Sequence, residues 1–242
     1  MAKADNKLVA IGEAAKRIGV SIDTLRRWDA IGYLRPDIRT EAGYRYYTTT
    51  KLELFLSDLV KVGFDWAENN TPISSQVYCE RSSIFQARLD KFSKQLFDLP
   101  TLKEIAPLIV AVCGEIGNNS FDHNLGNWPD VPGVYFAYDT AKRLVVLADR
   151  GRGLFTTLHR VKPDLVDDAD ALKVAFTEIL SGRAPEARGN GLKFVRKVAR
   201  DYPVHVAFQG GAAKLELEQG QEDLDIMKAA NEVRGCFAVV RF

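Results

Sequence analysis

The sequence predicts an α+β protein built from two units, a small helical unit with a β-hairpin and a larger unit of long helices and buried strands. Apolar residues recur at helical spacing on both sides of a short hairpin pattern in the first unit, whereas the second alternates long helical patterns with short apolar runs typical of buried strands. The predicted bounds are 1–66 for the first unit, 67–83 for a linker and 84–242 for the second. The linker is placed there because Asn69–Pro72 and Ser74–Ser75 interrupt any periodicity.

Composition restricts the functional classes. An apolar fraction of 46% with 27% charged residues is ordinary for a globular protein with a core. The longest apolar runs, Leu144–Ala148 and Leu108–Cys113, are too short to span a bilayer, and no secretion signal begins the sequence. Three scattered cysteines without metal-ligand spacing suit a reducing compartment. We therefore expect a cytoplasmic protein without a membrane partner.

The charge of the whole chain is +1, which gives no general field for a polyanion. Residues 1–48 differ, because they contain nine Lys and Arg but only six Asp and Glu. This local excess permits contacts with phosphates without establishing them.

Two short helices and a hairpin are predicted in the first unit. One helical face collects Ile11, Ala14, Ala15 and Ile18. Gly19 supplies a left-handed cap, and Ser21 is a good N-cap for a second helix. That second helix has the predicted inner face Ile22, Leu25 and Trp28. The hairpin covers Arg39–Tyr47 with Gly43 in its turn, and a further helix is expected from Thr50 to about Gly63.

The two helices form a helix-turn-helix whose second helix presents polar side chains away from its apolar face. Such a helix fits the major groove of double-stranded DNA, and the hairpin is placed to touch the adjacent backbone. The candidate DNA-binding residues are Ser21, Thr24, Arg26, Arg27, Arg39, Tyr44 and Arg45. A generic three-helix domain with solvated arginines, or a protein–protein adaptor, would share the bare pattern.

Five segments make the pattern more specific: Ile11–Ala15, Gly19–Ser21, Thr24–Trp28, Ile31–Leu34 and Gly43–Tyr47. Together they resemble the MerR-type winged helix-turn-helix over about residues 8–64. MerR-family regulators continue into a long dimerisation helix and an effector domain. Here the helix is expected to stop near Gly63 and no cysteine cluster follows, so the resemblance does not extend to metal sensing.

In the second unit, a helix predicted over Thr101–Asn124 carries a polar stripe beside its apolar face. The stripe consists of Glu115, Asn119, Asp122 and His123. An Asn carbonyl is a hard ligand that Mg²⁺ accepts alongside phosphates, and a Glu one turn earlier can act as a base. A solvated helix face with a structural histidine is the plainer alternative.

Two glycine patterns follow. A buried strand ends in Asp149, after which Gly151 and Gly153 leave room for a ligand ring, with the carboxylate accepting from an exocyclic amine. Later, Gly189, Asn190 and Gly191 precede a helix whose free N–H groups suit phosphates. Each pattern alone is equally typical of ordinary loops.

In this order the motifs resemble the GHKL (Bergerat-fold) ATPase domain over roughly residues 84–242, with the stripe closest to that of anti-sigma-factor serine kinases. The resemblance implies ATP and Mg²⁺, with Asn119 on the metal, Asp149 on adenine and Glu115 as the catalytic base. It also implies an α/β sandwich with a mixed sheet and helices on one face, and a mobile lid over 154–188. The remaining implied nucleotide-binding residues are Asp122, His123, Gly151, Gly153, Arg183, Arg188, Gly189, Asn190, Gly191 and Leu192. The family's Gly-Thr-x-Phe strand opening is Gly235, Cys236 and Phe237 here.

We therefore expect an ATP-binding, sequence-specific transcriptional regulator, a homodimer in which nucleotide binding biases dimerisation and DNA binding. The alternative is a GHKL-type ATPase, protein serine kinase or partner-switching factor, anti-sigma-like or antitoxin-like. It would act on a small protein partner, and its winged helix would regulate its own operon. Whether ATP is hydrolysed through Glu115 stays open between the two.

Overall fold

The computed structural model describes residues 7–18, 20–178 and 190–242, and its element order is α+β as expected. The helices of this described part are α1 (Ile11–Ile18), α2 (Ile22–Ala30), α3 (Thr49–Ser57), α4 (Leu59–Asn69), α5 (Ser82–Phe97), α6 (Ala106–Asn124), α7 (Gly153–Leu158), α8 (Asp168–Thr177) and α9 (Gly191–Asp201). Its strands are β1 (Leu8–Ala10), β2 (Ile38–Arg39), β3 (Arg45–Thr48), β4 (Tyr78–Cys79), β5 (Val134–Asp139), β6 (Leu144–Asp149), β7 (His205–Gly210), β8 (Ala213–Leu217), β9 (Ile226–Lys228) and β10 (Cys236–Arg241).

The first unit has the predicted helices and hairpin. Strands β2 and β3 pair antiparallel, and β1 adds a third strand in the order β1-β3-β2. Gly43 has a φ of +83°, the left-handed turn conformation that glycine adopts without strain. Most residues predicted on the inner helical faces are buried, Ile11 is half-buried, and one is exposed. Ile22 is 40% exposed because it lies in the first turn of α2, so its predicted inward position was wrong.

A single helix ending near Gly63 was expected after the hairpin, but the chain forms two. Helix α3 ends at Ser57, and Asp58 caps the start of α4 by accepting from the Lys61 N–H at 3.1 Å. Helix α4 then continues to Asn69, where Asn70 ends it in the left-handed conformation with a φ of 54°. A side-chain cap thus interrupts an apolar pattern that appears continuous in the sequence.

The second unit is a seven-stranded sheet in the order β4-β5-β6-β10-β7-β8-β9. Every pairing in it is antiparallel among the described residues, so the prediction of a mixed sheet was wrong. Short connections join β5 to β6 and β7 to β8, which makes those neighbours antiparallel. Strand β10 then lies between β6 and β7 and runs opposite to both.

Helices cover both faces of this sheet rather than the single face expected. Helices α5, α6, α8 and α9 enclose the larger core, whereas α4 packs on the opposite face against β5, β6 and β10. The Tyr135 hydroxyl donates to the Leu59 carbonyl at 2.9 Å, and a Cβ at Gly63 would lie 2.8 Å from Tyr135 Cε1. The segment 67–83 contains the end of α4 and β4, which pairs with β5. No helix in the described ranges has the length and apolar character to cross a bilayer.

Candidate functional sites

The N-terminus of α2 is ordered by the hydroxyl of Ser21. Its Oγ accepts the Thr24 N–H at 3.0 Å and lies 2.9 Å from Thr24 Oγ1. This cap satisfies one of the N–H groups that a helix start leaves unpaired. Ser21 therefore serves the helix directly, and any contact with DNA is additional to that role.

Helix α2 presents two exposed arginines. Arg26 lies 2.9 Å from Asp23, and both side chains are mostly exposed, so this ion pair contributes little and opens readily. Arg27 is also exposed, in the last turn of α2. Both guanidinium groups are available to an outside partner.

The hairpin is attached to α2 through Asp29. Arg45 donates from Nε to Asp29 Oδ2 at 2.6 Å, and its side chain is only 16% exposed. Arg39 lies 3.9 Å from the same carboxylate but is 60% exposed, and Tyr44 at the tip is 67% exposed. Arg45 thus fixes the hairpin, whereas Arg39 and Tyr44 project from it.

In the second unit, Asp149 ends β6 and is almost fully buried. Its Oδ2 accepts from Ser120 Oγ at 2.8 Å, its Oδ1 accepts from the Gly151 N–H at 2.8 Å, and the Cys236 N–H donates to it as well. Burial raises the pKa of Asp149, and these three donors oppose that shift without cancelling it. The carboxyl is therefore preorganised by α6, by the turn that follows β6 and by the start of β10.

The turn after Asp149 packs too closely for side chains. A Cβ at Gly151 would collide with the Asn124 amide, and one at Gly235 would collide with Asp149. Asn124 also accepts the Arg152 N–H at 2.9 Å and donates to the Ser120 carbonyl at 2.8 Å. Ser120 and Asn124 are not among the predicted site residues, although two polar residues one turn apart on the apolar face of α6 are a signal visible in the sequence.

The start of α9 lies against the polar stripe of α6. A Cβ at Gly191 would lie 2.5 Å from Glu115 Oε2 and 3.3 Å from Asn119 Nδ2. Glu115 is exposed and Asn119 is half-buried. The structure thus brings together the proposed base, the proposed metal ligand and the second glycine pattern, which lie far apart in the sequence.

The other predicted nucleotide-binding residues lie at separate places in the chain. Gly153 begins α7 with a φ of +74° beside the Asp149 turn. Asp122 is exposed and His123 half-buried farther along α6, whereas Leu192 is buried in the core behind Gly191. Asn190 caps α9. Three predicted residues lie outside the described residues: Arg183, Arg188 and Gly189.

Comparison with known proteins concerns the first unit. The family described as "MerR family regulatory protein" matches residues 11–47. The uncharacterized HTH-type transcriptional regulator YyaN of Bacillus subtilis (strain 168) is 37% identical over 65 residues, 26% of this chain and 47% of that protein. The HTH-type transcriptional regulator ZntR of Escherichia coli (strain K12) is 28% identical over 113 residues, 43% of this chain and 80% of ZntR.

The chain therefore spans about half the length of the Bacillus relative that it matches. The matched range 11–47 contains α1, α2 and most of the hairpin, the elements that Asp29 and Arg45 hold together. The N-terminal part of this chain is a MerR-family helix-turn-helix domain.

Proposed function

We propose that this protein is a transcriptional regulator that binds double-stranded DNA through α2 and the hairpin. The observation that carries the proposal is the Asp29–Arg45 attachment, which fixes the hairpin beside a helix with exposed arginines. A helix of this kind enters the major groove while a hairpin reaches the neighbouring backbone. The relatives that it resembles are named as HTH-type transcriptional regulators, which supports the same class.

The exposed side chains have different roles in this proposal. Arg27 reads a base edge in the major groove, and Arg39 with Tyr44 contacts phosphates beside it. Arg45, which sequence alone placed among the DNA contacts, acts mainly by positioning the hairpin because its guanidinium is occupied by Asp29. One such unit covers little DNA, so the binding species is a homodimer on paired half-sites about 34–36 Å apart or a multiple of that.

The second unit, in this proposal, binds ATP with Mg²⁺ as the regulatory ligand in a GHKL-type site. Two observations support this part of the proposal. Gly191 lies close to Glu115 and Asn119, and Asp149 is buried with glycines around it. Asp149 accepts from the adenine amine, Asn119 supplies an oxygen to the metal, and the N–H groups at the start of α9 face phosphates. Glu115 is exposed and stands where a base would activate water or a hydroxyl.

The same position of Glu115 supports the alternative of an ATPase or serine kinase acting on a small protein partner. Glu115→Ala distinguishes the two, because it removes a base and leaves Asn119 in place. In a kinase or ATPase this variant binds ATP but loses turnover. In a regulator that only senses ATP, wild type and variant both lack turnover and both bind ATP.

DNA binding is tested with the full chain on a site selected from random duplexes. Arg27→Ala should weaken binding to that site by about 1–3 kcal/mol and leave nonspecific DNA nearly unaffected. Arg39→Ala should weaken binding to all DNA sequences alike. It should also lower the slope of log affinity against log salt concentration by about one unit. Arg200→Ala is the control and should change neither, because Arg200 is a partly exposed arginine of α9 paired with Asp201. If the full chain enriches no particular DNA sequence from the random duplexes, the proposal is refuted.

A further inference from the structure

Arg150 connects the Asp149 turn to the opposite face of the sheet. Asp149 points to Ser120 in α6, whereas the next side chain points to α4, as successive residues at the end of a strand do. Arg150 Nη1 donates to the Trp66 and Ala67 carbonyls at 2.8 and 2.7 Å. It thereby satisfies carbonyls in the last turns of α4, where a cation is also favoured by the helix dipole.

The Arg150 guanidinium is buried and held from its other side by Asp130. Nε lies 2.7 Å and Nη2 lies 2.5 Å from Asp130 Oδ2, and the Arg150 side chain is only 7% exposed. Arg234 shares the same carboxylate at 3.3 Å but is 47% exposed. The fork of Arg150 therefore has one geometry, set by a carboxylate and two helix carbonyls.

Helix α4 also contacts the helix-turn-helix domain. Lys61 Nζ lies 4.5 Å from the centre of the Tyr33 ring, and burial together with the nearby Asp65 carboxylate raises the pKa of the Tyr33 hydroxyl. Tyr33 in turn packs edge-on against Trp28 of α2, with ring centroids 5.1 Å apart. Helix α4 thus touches the proposed nucleotide turn through Arg150 and the proposed DNA-reading helix through Tyr33.

We propose that Arg150 relays ligand occupancy of the Asp149 turn to α4, and through α4 to the DNA-binding helix. This inference rests on the proposed function, since it assigns the regulation of that nucleotide site. The turn cannot adjust alone, because Gly151 and Gly235 lie in contact with Asn124 and Asp149. Close-packed interiors transmit such displacements instead of absorbing them. A ligand that shifts the turn therefore shifts the carbonyls that Arg150 holds.

The experiment compares Arg150→Lys with wild type in the full chain. Lysine keeps the charge but has a single nitrogen in place of the fork. ATP affinity is measured calorimetrically with Mg²⁺, DNA affinity is measured with and without ATP, and hydrogen exchange is followed over residues 59–70. In wild type we expect ATP to change the DNA dissociation constant by about 5-fold or more and to alter exchange over 59–70. In Arg150→Lys we expect ATP affinity within about 3-fold of wild type and a change in DNA affinity below 2-fold.

Arg234→Lys is the matched control, because it alters the same Asp130 cluster without a side-chain bond to α4, and it should retain the coupling. If Arg150→Lys proves unstable in thermal melts, Asp130→Asn loosens the anchor without removing the arginine and should reduce the coupling in the same direction. A variant that binds ATP and retains the wild-type change in DNA affinity overturns the relay. Wild-type protein that binds ATP without any change in DNA affinity overturns it as well, while the nucleotide site stands. Absence of ATP binding in wild type instead refutes the nucleotide site, and the relay with it.

Discussion

Asp29 of α2 and Arg45 of β3 form an ion pair with an Nε–Oδ2 distance of 2.6 Å and side-chain exposures of 10% and 16%. Because the pair is largely shielded from water, it is stronger than the exposed pair of Arg26 with Asp23 on the same helix. It joins the end of α2 to the second strand of the hairpin. The orientation of the hairpin, and with it the placement of Arg39, depends on this contact.

Arg45→Ala should destabilise the first unit by about 1–3 kcal/mol, because it leaves the Asp29 carboxylate largely buried with only the distant Arg39 nearby. Arg27→Ala should stay within about 0.5 kcal/mol of wild type, since its side chain is exposed. Denaturant unfolding followed by tryptophan fluorescence, to which Trp28 contributes, measures both. Equal stability of the two variants would contradict the positioning role of Arg45.

Gly63→Ala should lower stability by about 1–3 kcal/mol, because its Cβ would lie 2.8 Å from Tyr135 Cε1 and 3.0 Å from Val146 Cγ1. This strain outweighs the gain of about 0.5–1 kcal/mol that alanine brings to a helix. Gly12→Ala in α1 is the control, with only Ile22 Cδ1 at 3.9 Å, and should be neutral or slightly stabilising. Thermal melts of the two variants should move in opposite directions, and parallel shifts would argue against close packing of α4.

Asp149→Asn should remove most ATP affinity, by about 2–4 kcal/mol or 30-fold and more, because the amide offers a donor to the adenine amine. The fold should persist, since the Ser120 hydroxyl can reverse from donor to acceptor. Calorimetric titration with Mg²⁺–ATP measures the affinity, and a melt checks the fold. Asp201→Asn, at an exposed position of α9, is the control. Unchanged binding in a folded Asp149→Asn variant would reject the adenine contact.

Asp130 should contribute a stability that is lost in acid. Burial opposes its ionisation, but hydrogen bonds and charges from Arg150 and Arg234 outweigh burial and hold the pKa of Asp130 below its ordinary value. A carboxyl with a lowered folded pKa stabilises the fold above its unfolded pKa of about 3.9, and loses that contribution as pH falls through the folded value. Melting temperatures of wild type and Asp130→Asn should therefore differ at pH 7 and converge below about pH 4. A constant difference across this range would exclude the mechanism.

Local features of the first unit were predictable from sequence because each depends on neighbours along the chain. Ser21 caps α2, Gly43 makes the hairpin turn, and Leu25 and Trp28 face the core as their spacing predicts. Features that depend on distant partners were not. The antiparallel sheet follows from β10 pairing with both β6 and β7, and no local pattern specifies that position.

The candidate site shows the same division. Asp149 and Gly191 were identified by their motifs, and their surroundings agree with close backbone approach. No role of Arg150 was predicted from the sequence, because its partners Trp66 and Ala67 lie on a helix more than eighty residues earlier. Its importance arises only from tertiary structure.

The central position of β10 also sets an order of folding during synthesis. Residues 7–57 complete their own hydrophobic core from nearby segments, so this domain can fold while the ribosome is still making the rest. The sheet cannot, because residues 236–241 supply the strand that joins β6 to β7. Until they emerge, the apolar face of α4 lacks Phe237 and Val239 as partners. A nascent chain would thus carry a formed helix-turn-helix domain before the sheet of the second unit is assembled, and the apolar face of α4 would be partly uncovered in that interval.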